Sequence, residues 1–144
     1  MKNYLIQHPW QIIEEGFHND FQEVSESIFS LGNGRMGTRG NFEEDYSGKS
    51  LRGSYFAGVY YPDLTRVGWW KNGYPEYFAK VLNAVNWIGI KIQIDETVLD
   101  LEVTPIINFR RVLDMENGLL IRSFDVKADS GGILSFHFER SVGK

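Results

Sequence analysis

The C-terminal half of this sequence alternates apolar and polar residues in short runs, and this pattern constrains the fold more than any other feature. Four isoleucines within residues 88–94 alternate with small or polar residues, and residues 98–103 repeat the pattern after a turn at 95–97. Successive side chains on a strand point to opposite faces, so a period of two indicates strands that are buried on one face. The two runs therefore predict a hairpin.

Two more hairpins are predicted further along the chain. Residues 109–113 and 119–126 flank an Asn-Gly pair, which favours a tight turn because both residues tolerate positive φ. A turn at 128–132 then leads into an alternating run at 133–138. Upstream, residues 26–31 and 54–61 also have extended patterns, and the best helix candidate is the short polar segment 19–27.

Tight turns without crossover helices predict an all-β fold, an antiparallel β-sandwich or barrel. No internal repeat or linker divides the 144 residues, so residues 1–144 are expected to form one region with a single core. The chain ends directly after the last predicted strand, which suggests that it is a fragment of something larger.

Composition and charge exclude several classes of function. The net charge of −4 opposes non-specific nucleic-acid binding, and no segment is apolar enough to cross a membrane as a helix. Cysteine is absent and the three histidines are widely separated, so we expect no metal site. The N-terminus lacks the apolar core of a signal peptide, and we expect a cytoplasmic protein.

The segment 31–44 contains four glycines, which we expect to be structural, and a set of polar residues. The glycines are Gly32, Gly34, Gly37 and Gly40. They satisfy G-x-G-x-x-G, but neither a following helix, as in a dinucleotide site, nor the lysine strand and catalytic loop of a kinase is present. A turn between two strands is the simplest interpretation, and valine at Gly37 or Gly40 would destabilise the fold if either glycine has positive φ. The polar residues favour a ligand or partner surface.

Candidate catalytic groups fail on geometry. Glycoside cleavage needs two carboxyl groups, or one carboxylic acid and a bound phosphate, on opposite sides of the bond. Glu43 and Glu44 are neighbours that would face opposite sides of a strand, and the pair Asp100 and Glu102 fits an exposed strand face. We assign no catalytic residue to this chain.

An aromatic group in the connection 62–78 has three interpretations. It consists of Trp69, Trp70, Tyr74 and Tyr77. Such residues could pack over the core, stack on a sugar ring, or anchor a protein interface.

The glycine-rich segment carries a resemblance to a known family. Residues 26–44, read as ESIFSLGNGRMGTRGNFEE, resemble the N-terminal hallmark of glycoside hydrolase family 65. Further matches follow in order: GSYFAGVY at 53–60, Leu82-Asn83, and RVLDM at 111–115 with Gly118 and Arg122. The family includes phosphorylases that act on α-linked glucosyl disaccharides.

The resemblance implies a large architecture of which this chain is one part. It implies a galactose-mutarotase-like super-sandwich, incomplete here, and an (α/α)6 helical barrel that the chain lacks. The barrel holds the general acid and the phosphate site, so no residue here inherits either role. No cofactor is implied, and inorganic phosphate would be a co-substrate bound outside this segment.

The resemblance and the polar segment together give the expected function. The chain would be the non-catalytic N-terminal part of a family 65 phosphorylase or hydrolase, with the helical domain, a disaccharide and a second copy in a homodimer as partners. The alternative is a stand-alone carbohydrate-binding or oligomerisation module. In either case, the residues that we assign to the substrate-side or interdomain loop are Asn33, Arg35, Arg39, Asn41, Glu43, Trp69 and Trp70.

Overall fold

The computed structural model describes residues 4–65 and 75–143, which form mainly antiparallel β-strands. A 3-10 turn at Asn19–Phe21 leads into one α-helix, α1 (Gln22–Ile28). The strands are β1 (Leu5–His8), β2 (Gln11–Glu15), β3 (Leu31–Gly32), β4 (Met36–Thr38), β5 (Ser54–Phe56), β6 (Tyr60–Leu64), β7 (Tyr77–Val81), β8 (Gln93–Ile94), β9 (Thr97–Val98), β10 (Ile106–Asp114), β11 (Leu119–Lys127) and β12 (Ile133–Ser141). Within this part of the chain, no helix is long and apolar enough to cross a membrane.

The largest sheet has five antiparallel strands in the order β1-β2-β10-β11-β12. Its inward face follows the alternation seen in the sequence, so that every second residue of β11 from Leu120 to Val126 is buried. Two apolar clusters pack on this face. One is centred on Phe42, Leu99 and Phe124, and the other joins Phe29 after α1 to the β10–β11 hairpin.

Three smaller sheets complete the described structure. The glycine-rich segment forms most of a three-stranded sheet, β3-β4-β5, while β6 pairs with β7 and β8 pairs with β9. Trp69, Trp70 and Tyr74 lie outside the described residues, so the prediction for Trp69 and Trp70 stays a prediction.

The antiparallel all-β prediction is confirmed, and its most regular part is the β10–β11–β12 meander. Pairing as a two-layer sandwich stays a prediction. The hairpin predicted from residues 88–103 is much shorter than expected, with two residues in each strand. Leu99 and Leu101 are buried as predicted, but they lie outside strands, where the Asp100 carboxylate accepts the amide of Glu102 at 2.9 Å. Local turns therefore replace the part of the predicted second strand that follows Val98.

Two upstream predictions have different outcomes. The helix predicted at 19–27 is confirmed as the 3-10 turn and α1. The extended pattern at 26–31 is wrong, because Glu26 and its two successors belong to α1. The helix continues there because the Phe29 amide donates to the Ser25 carbonyl at 2.9 Å and both residues are buried.

Candidate functional site

The glycine-rich segment begins as a tight turn between β3 and β4. The Asn33 side-chain oxygen accepts the amides of Arg35 at 3.0 Å and Met36 at 2.9 Å, which closes the turn with a side chain. Gly34, which lies between Asn33 and Arg35, has φ of +83°, a conformation that residues with side chains rarely adopt. The turn therefore places Arg35 in an exposed position at its tip.

A second turn lies beside the first and forms a groove with it. The Ala57 amide donates to the Arg35 carbonyl at 2.7 Å, and Gly58 also has positive φ. The groove has a volume of about 350 Å³ and is lined by residues 34–37 and 55–60 together with Ala79 and Val81. Its lining is mainly apolar, with Arg35 as its one charged residue among those described.

The second half of the segment is held by three arginines of the large sheet, which we call the arginine triad: Arg111 on β10, Arg122 on β11 and Arg140 on β12. Arg140 donates to the Asn41 carbonyl at 2.6 Å and, through Nε, to Glu43 Oε1 at 2.9 Å. Arg122 donates to Glu43 Oε2 at 2.7 Å and also pairs with Glu44. The triad thus fixes the backbone and both carboxylates of this loop.

Arg111 is the most buried member of the triad. It is 1% exposed, pairs with the equally buried Glu14 at 2.7 Å, and donates to the Gly40 carbonyl at 3.1 Å. Its guanidinium also lies 4.9 Å from the centroid of the Phe29 ring. This arrangement satisfies the charge with a carboxylate, a carbonyl and an aromatic face, which a buried cation requires.

Electrostatics explains why the acidic residues accompany the triad. Burial lowers the pKa of Arg111, and the carboxylate of Glu14 opposes that effect. Burial alone would raise the pKa of Glu43, but Arg122 and Arg140 outweigh it and hold this pKa below its ordinary value. Arg111 and Arg122 are direct cross-strand partners, so intervening carboxylates are needed to keep two like charges close together.

Helix α1 anchors the same loop from the other side. The Gly40 amide donates to the Glu26 carbonyl at 2.7 Å, and the Glu26 carboxylate accepts hydrogen bonds from Ser50 and the Leu51 amide. A Cβ at Gly40 would lie 2.7 Å from Phe29 Cβ and 2.9 Å from the Phe29 carbonyl oxygen. Gly40 is therefore required by close packing against the end of the helix.

Comparison with known proteins identifies the family. The family described as glycosyl hydrolase family 65, N-terminal domain, matches residues 12–144. The chain belongs to this family.

Relatives of this family 65 domain are much longer than the chain. It is 52% identical over 118 residues to maltose phosphorylase of Bacillus subtilis strain 168, which covers 82% of this chain and 16% of the relative. It is 36% identical over 140 residues to alpha,alpha-trehalose phosphorylase of Thermoanaerobacter brockii, covering 92% and 18%. A solved structure provisionally named a kojibiose phosphorylase from human microbiome has a TM-score of 0.82 and 38% identity, covering 94% and 18%. The chain thus spans less than a fifth of these relatives.

In this family 65 domain, the described residues that were predicted for the substrate-side or interdomain loop occur in two different environments. Asn33 and Arg35 belong to the exposed turn, whereas Asn41 and Glu43 are tied to the arginine triad. Arg39 lies between them and donates to the Ser27 hydroxyl. Their assignment to a ligand or domain interface stays a prediction.

The predicted structural glycines have different roles. Positive φ is found at Gly34 alone among the four, so the strain considered for valine at Gly37 or Gly40 does not arise from φ. Cβ atoms at Gly32 and Gly37 would each lie 3.4 Å from a backbone oxygen across the β3–β4 pair, and Gly40 packs on the helix.

Sequence reasoning did not identify the arginine triad, although Arg111 and Arg122 fall within the family matches. The signal was present, because each arginine occupies an inward position in an otherwise apolar alternation. A charge at such a position requires a buried counter-charge, and the paired Glu43-Glu44 supplies one.

Proposed function

We propose that this chain is the non-catalytic N-terminal domain of a longer phosphorylase that cleaves an α-linked glucosyl disaccharide with inorganic phosphate. The observation that carries the proposal is its match to phosphorylases in which it accounts for only 16 to 18% of the length. The carboxylates of the glycine-rich segment support it, because Glu43 and Glu44 are engaged by Arg122 and Arg140. Both are therefore unsuited to proton transfer or nucleophilic attack.

The chemistry is assigned to the rest of the longer protein. A phosphorylase needs a carboxylic acid that protonates the leaving sugar and a site that holds phosphate for attack on the opposite side. We place both outside this chain, in a helical catalytic domain, and we place the protein in the cytoplasm. The chain contributes a rigid scaffold whose exposed turn faces that domain.

A large apolar surface supports packing against another domain. We call it the hairpin surface, and it comprises Phe56, Val59, Tyr60, Tyr61, Tyr77, Phe78 and Val81, each at least 40% exposed. Tyr60 and Tyr61 are neighbours on β6 and so point to opposite faces of the β6–β7 ribbon. Their exposures of 59% and 58% show that both faces are uncovered.

A ribbon of two strands is marginal in water unless something covers it, and extended apolar patches mark interaction sites. The hairpin surface is continuous with the groove beside the glycine-rich turn, because Phe56, Val59, Tyr60 and Val81 line that groove. We propose that the remaining polypeptide of the longer protein covers both features.

The assignment of catalysis to another domain is tested directly. The 144-residue chain is incubated with maltose, trehalose or kojibiose and inorganic phosphate, and glucose 1-phosphate is measured. We expect none, while the longer protein produces it from one of these sugars under the same conditions. Glucose 1-phosphate formation by the 144-residue chain would overturn the non-catalytic assignment.

The alternative function is a stand-alone carbohydrate-binding module, and one feature favours it. In the groove, the aromatic residues Phe56 and Tyr60 lie together with Arg35, a combination that could stack on and hydrogen-bond a sugar. Amide chemical shifts on addition of a disaccharide separate the two functions. Perturbation centred on Gly34 and Gly58 supports the binding module, whereas unchanged shifts there support the interface.

A further inference from the structure

A second cleft, which shares no lining residue with the groove, has a volume of about 440 Å³. It is lined by Asp45, Tyr46, Ser47, Arg52, Val98 and Asp100. Its size falls in the range of small-molecule sites, which is roughly 300–1,000 Å³. Four of its six lining residues carry a carboxylate, a guanidinium or an aliphatic hydroxyl group, unlike the mainly apolar lining of the groove.

The backbone fixes the acidic wall of this cleft. Asp45 and Asp100 form a parallel bridge, and the Leu101 amide donates to the Asp45 carbonyl at 3.1 Å. The Asp100 Oδ1 atom accepts the amides of Ser47 at 3.0 Å and Glu102 at 2.9 Å. Burial acts to raise the pKa of Asp100, but the hydrogen bonds from these amides and the charge of Arg52 outweigh it. The pKa of Asp100 is therefore below its ordinary value, and the carboxylate stays ionised at neutral pH.

The floor and the basic wall are also held in place. Tyr46 is 6% exposed and packs edge-on against Phe42 with ring centroids 5.3 Å apart. A Cβ at Gly48 would collide with the Tyr46 ring and the Glu102 carboxylate, so the chain crosses this ring closely. Arg52 donates to the Tyr46 carbonyl at 2.8 Å through one nitrogen. Its other guanidinium nitrogens have no hydrogen-bond acceptor within residues 4–65 and 75–143.

The mixed charges of the lining select one class of ligand. Two aspartates disfavour a phosphate or another anion, and Arg52 disfavours a cation. No group of three or more His, Asp or Glu within the described residues could hold a metal ion. A neutral polyol avoids both kinds of charge repulsion. Its hydroxyl groups can donate to the carboxylates of Asp45 and Asp100 and accept from the guanidinium of Arg52.

We propose that this cleft is a non-catalytic saccharide site that binds a glucosyl unit through Asp45, Arg52 and Asp100. The proposal deepens the proposed function, on which it rests for the class of sugar. It adds a point of contact for the saccharide within this chain, separate from the groove at the glycine-rich turn.

Amide chemical shifts of the 15N-labelled chain test the site during titration with maltose. We expect perturbations at Ser47, Gly48 and Leu101, with dissociation constants on the order of 1 mM, as a small exposed site with few charge-assisted hydrogen bonds would give. Asp45→Asn and Arg52→Gln should each weaken binding about tenfold, or ~1.4 kcal/mol, because each removes a charged hydrogen-bond partner of the sugar hydroxyls. Glu96→Gln, in the exposed turn between β8 and β9, is the matched control and should leave binding unchanged.

Three results would overturn the proposal. They are unchanged shifts at Ser47, Gly48 and Leu101 with ~50 mM maltose, far above the expected dissociation constant; equal binding by the two cleft variants and the parent chain; and perturbation of the same amides by inorganic phosphate alone. The thermal midpoint of each variant shows whether it is folded. Formation of glucose 1-phosphate by the chain would overturn only its non-catalytic assignment. Binding at the cleft is measured independently, by the amide chemical shifts of Ser47, Gly48 and Leu101.

Discussion

The arginine triad and the hairpin surface place side chains against expectation in opposite ways: the triad buries charged residues, whereas the hairpin surface exposes apolar ones. Arg111 is 1% exposed and has its charge met by Glu14, Gln22 and a backbone carbonyl. Tyr60 and Val81 are about 60% exposed and extend from a two-stranded ribbon. The contrast shows that the charges of one region are paired within the chain, whereas the apolar side chains of the other are uncovered among the described residues.

The two regions also stabilise structure by different means. Buried ion pairs contribute little net energy when intact, but loss of one partner leaves an uncompensated charge in a low-dielectric interior. Exposed apolar side chains add almost nothing to the stability of the isolated chain and contribute only when they are covered. Substitutions in the two regions should therefore respond differently to the presence of the remaining polypeptide.

The largest effect is expected from Arg111→Met, which leaves Glu14 buried without its cation. We expect a loss of roughly 3–5 kcal/mol in the free energy of unfolding, measured by urea denaturation. Arg110→Met is the matched control, because its pair with Glu15 is exposed and 3.7 Å long. That pair should be worth at most about 1 kcal/mol. Equal losses in the two variants would show that burial of the triad is not the source of its importance.

The glycines give the next test, because two of them are required for different reasons. Gly40→Ala introduces a methyl group 2.7 Å from Phe29 Cβ and should cost roughly 1–3 kcal/mol through overpacking. Gly34→Ala meets no atom within 4 Å and should cost only about 1 kcal/mol from positive φ. Urea denaturation of both variants measures the difference, and a larger loss at Gly34 would contradict the packing argument.

The sequence predicted regular features of this molecule better than its charged ones. The β10–β11 hairpin could be predicted because Asn117-Gly118 and the alternation in Leu119–Lys127 both favour the same register. Glu26 falls in both the predicted helix 19–27 and the predicted extended run 26–31, and its burial could not be predicted because it depends on hydrogen bonds from Ser50 and Leu51, which are distant in sequence. The roles of Glu43 and Arg140 could not be predicted, because a pair separated by 97 positions is defined only by tertiary packing.

The turn in the glycine-rich segment could be predicted from the sequence, but the arrangement of its polar residues could not. The glycine spacing identified a turn between strands, which β3 and β4 confirm. The arginine triad determines which polar residues of the segment remain exposed. Its position depends on contacts between residues far apart in the sequence, which the alternation of neighbouring residues cannot predict. The split between Arg35 at the tip and Glu43 in the interior follows from contacts with β11 and β12.

A dependence on pH should separate the triad from the hairpin surface. The pKa of Glu43 is lowered in the folded state, so its contribution is present above the unfolded pKa and is lost as pH falls through the folded value. The free energy of unfolding should therefore fall as pH is lowered below 4.5, the ordinary pKa of a glutamate side chain. Urea denaturation between neutral pH and this acidic range should show a shallower decline for Glu43→Gln. An identical slope in parent and variant would contradict the role of Arg122 and Arg140.

The smallest effect in the isolated chain is expected from Val81→Ser in the hairpin surface. Val81 is 60% exposed, so the free energy of unfolding should change by no more than about 0.5 kcal/mol. Val103→Ser is the matched control, since Val103 is 71% exposed and lies outside the hairpin surface. In the longer protein, Val81→Ser should lower the thermal midpoint of unfolding while Val103→Ser leaves it unchanged, because only Val81 would be covered by the remaining polypeptide. If Val81→Ser is equally neutral in both contexts, the hairpin surface is not the interface, and the comparison with the arginine triad loses its explanation.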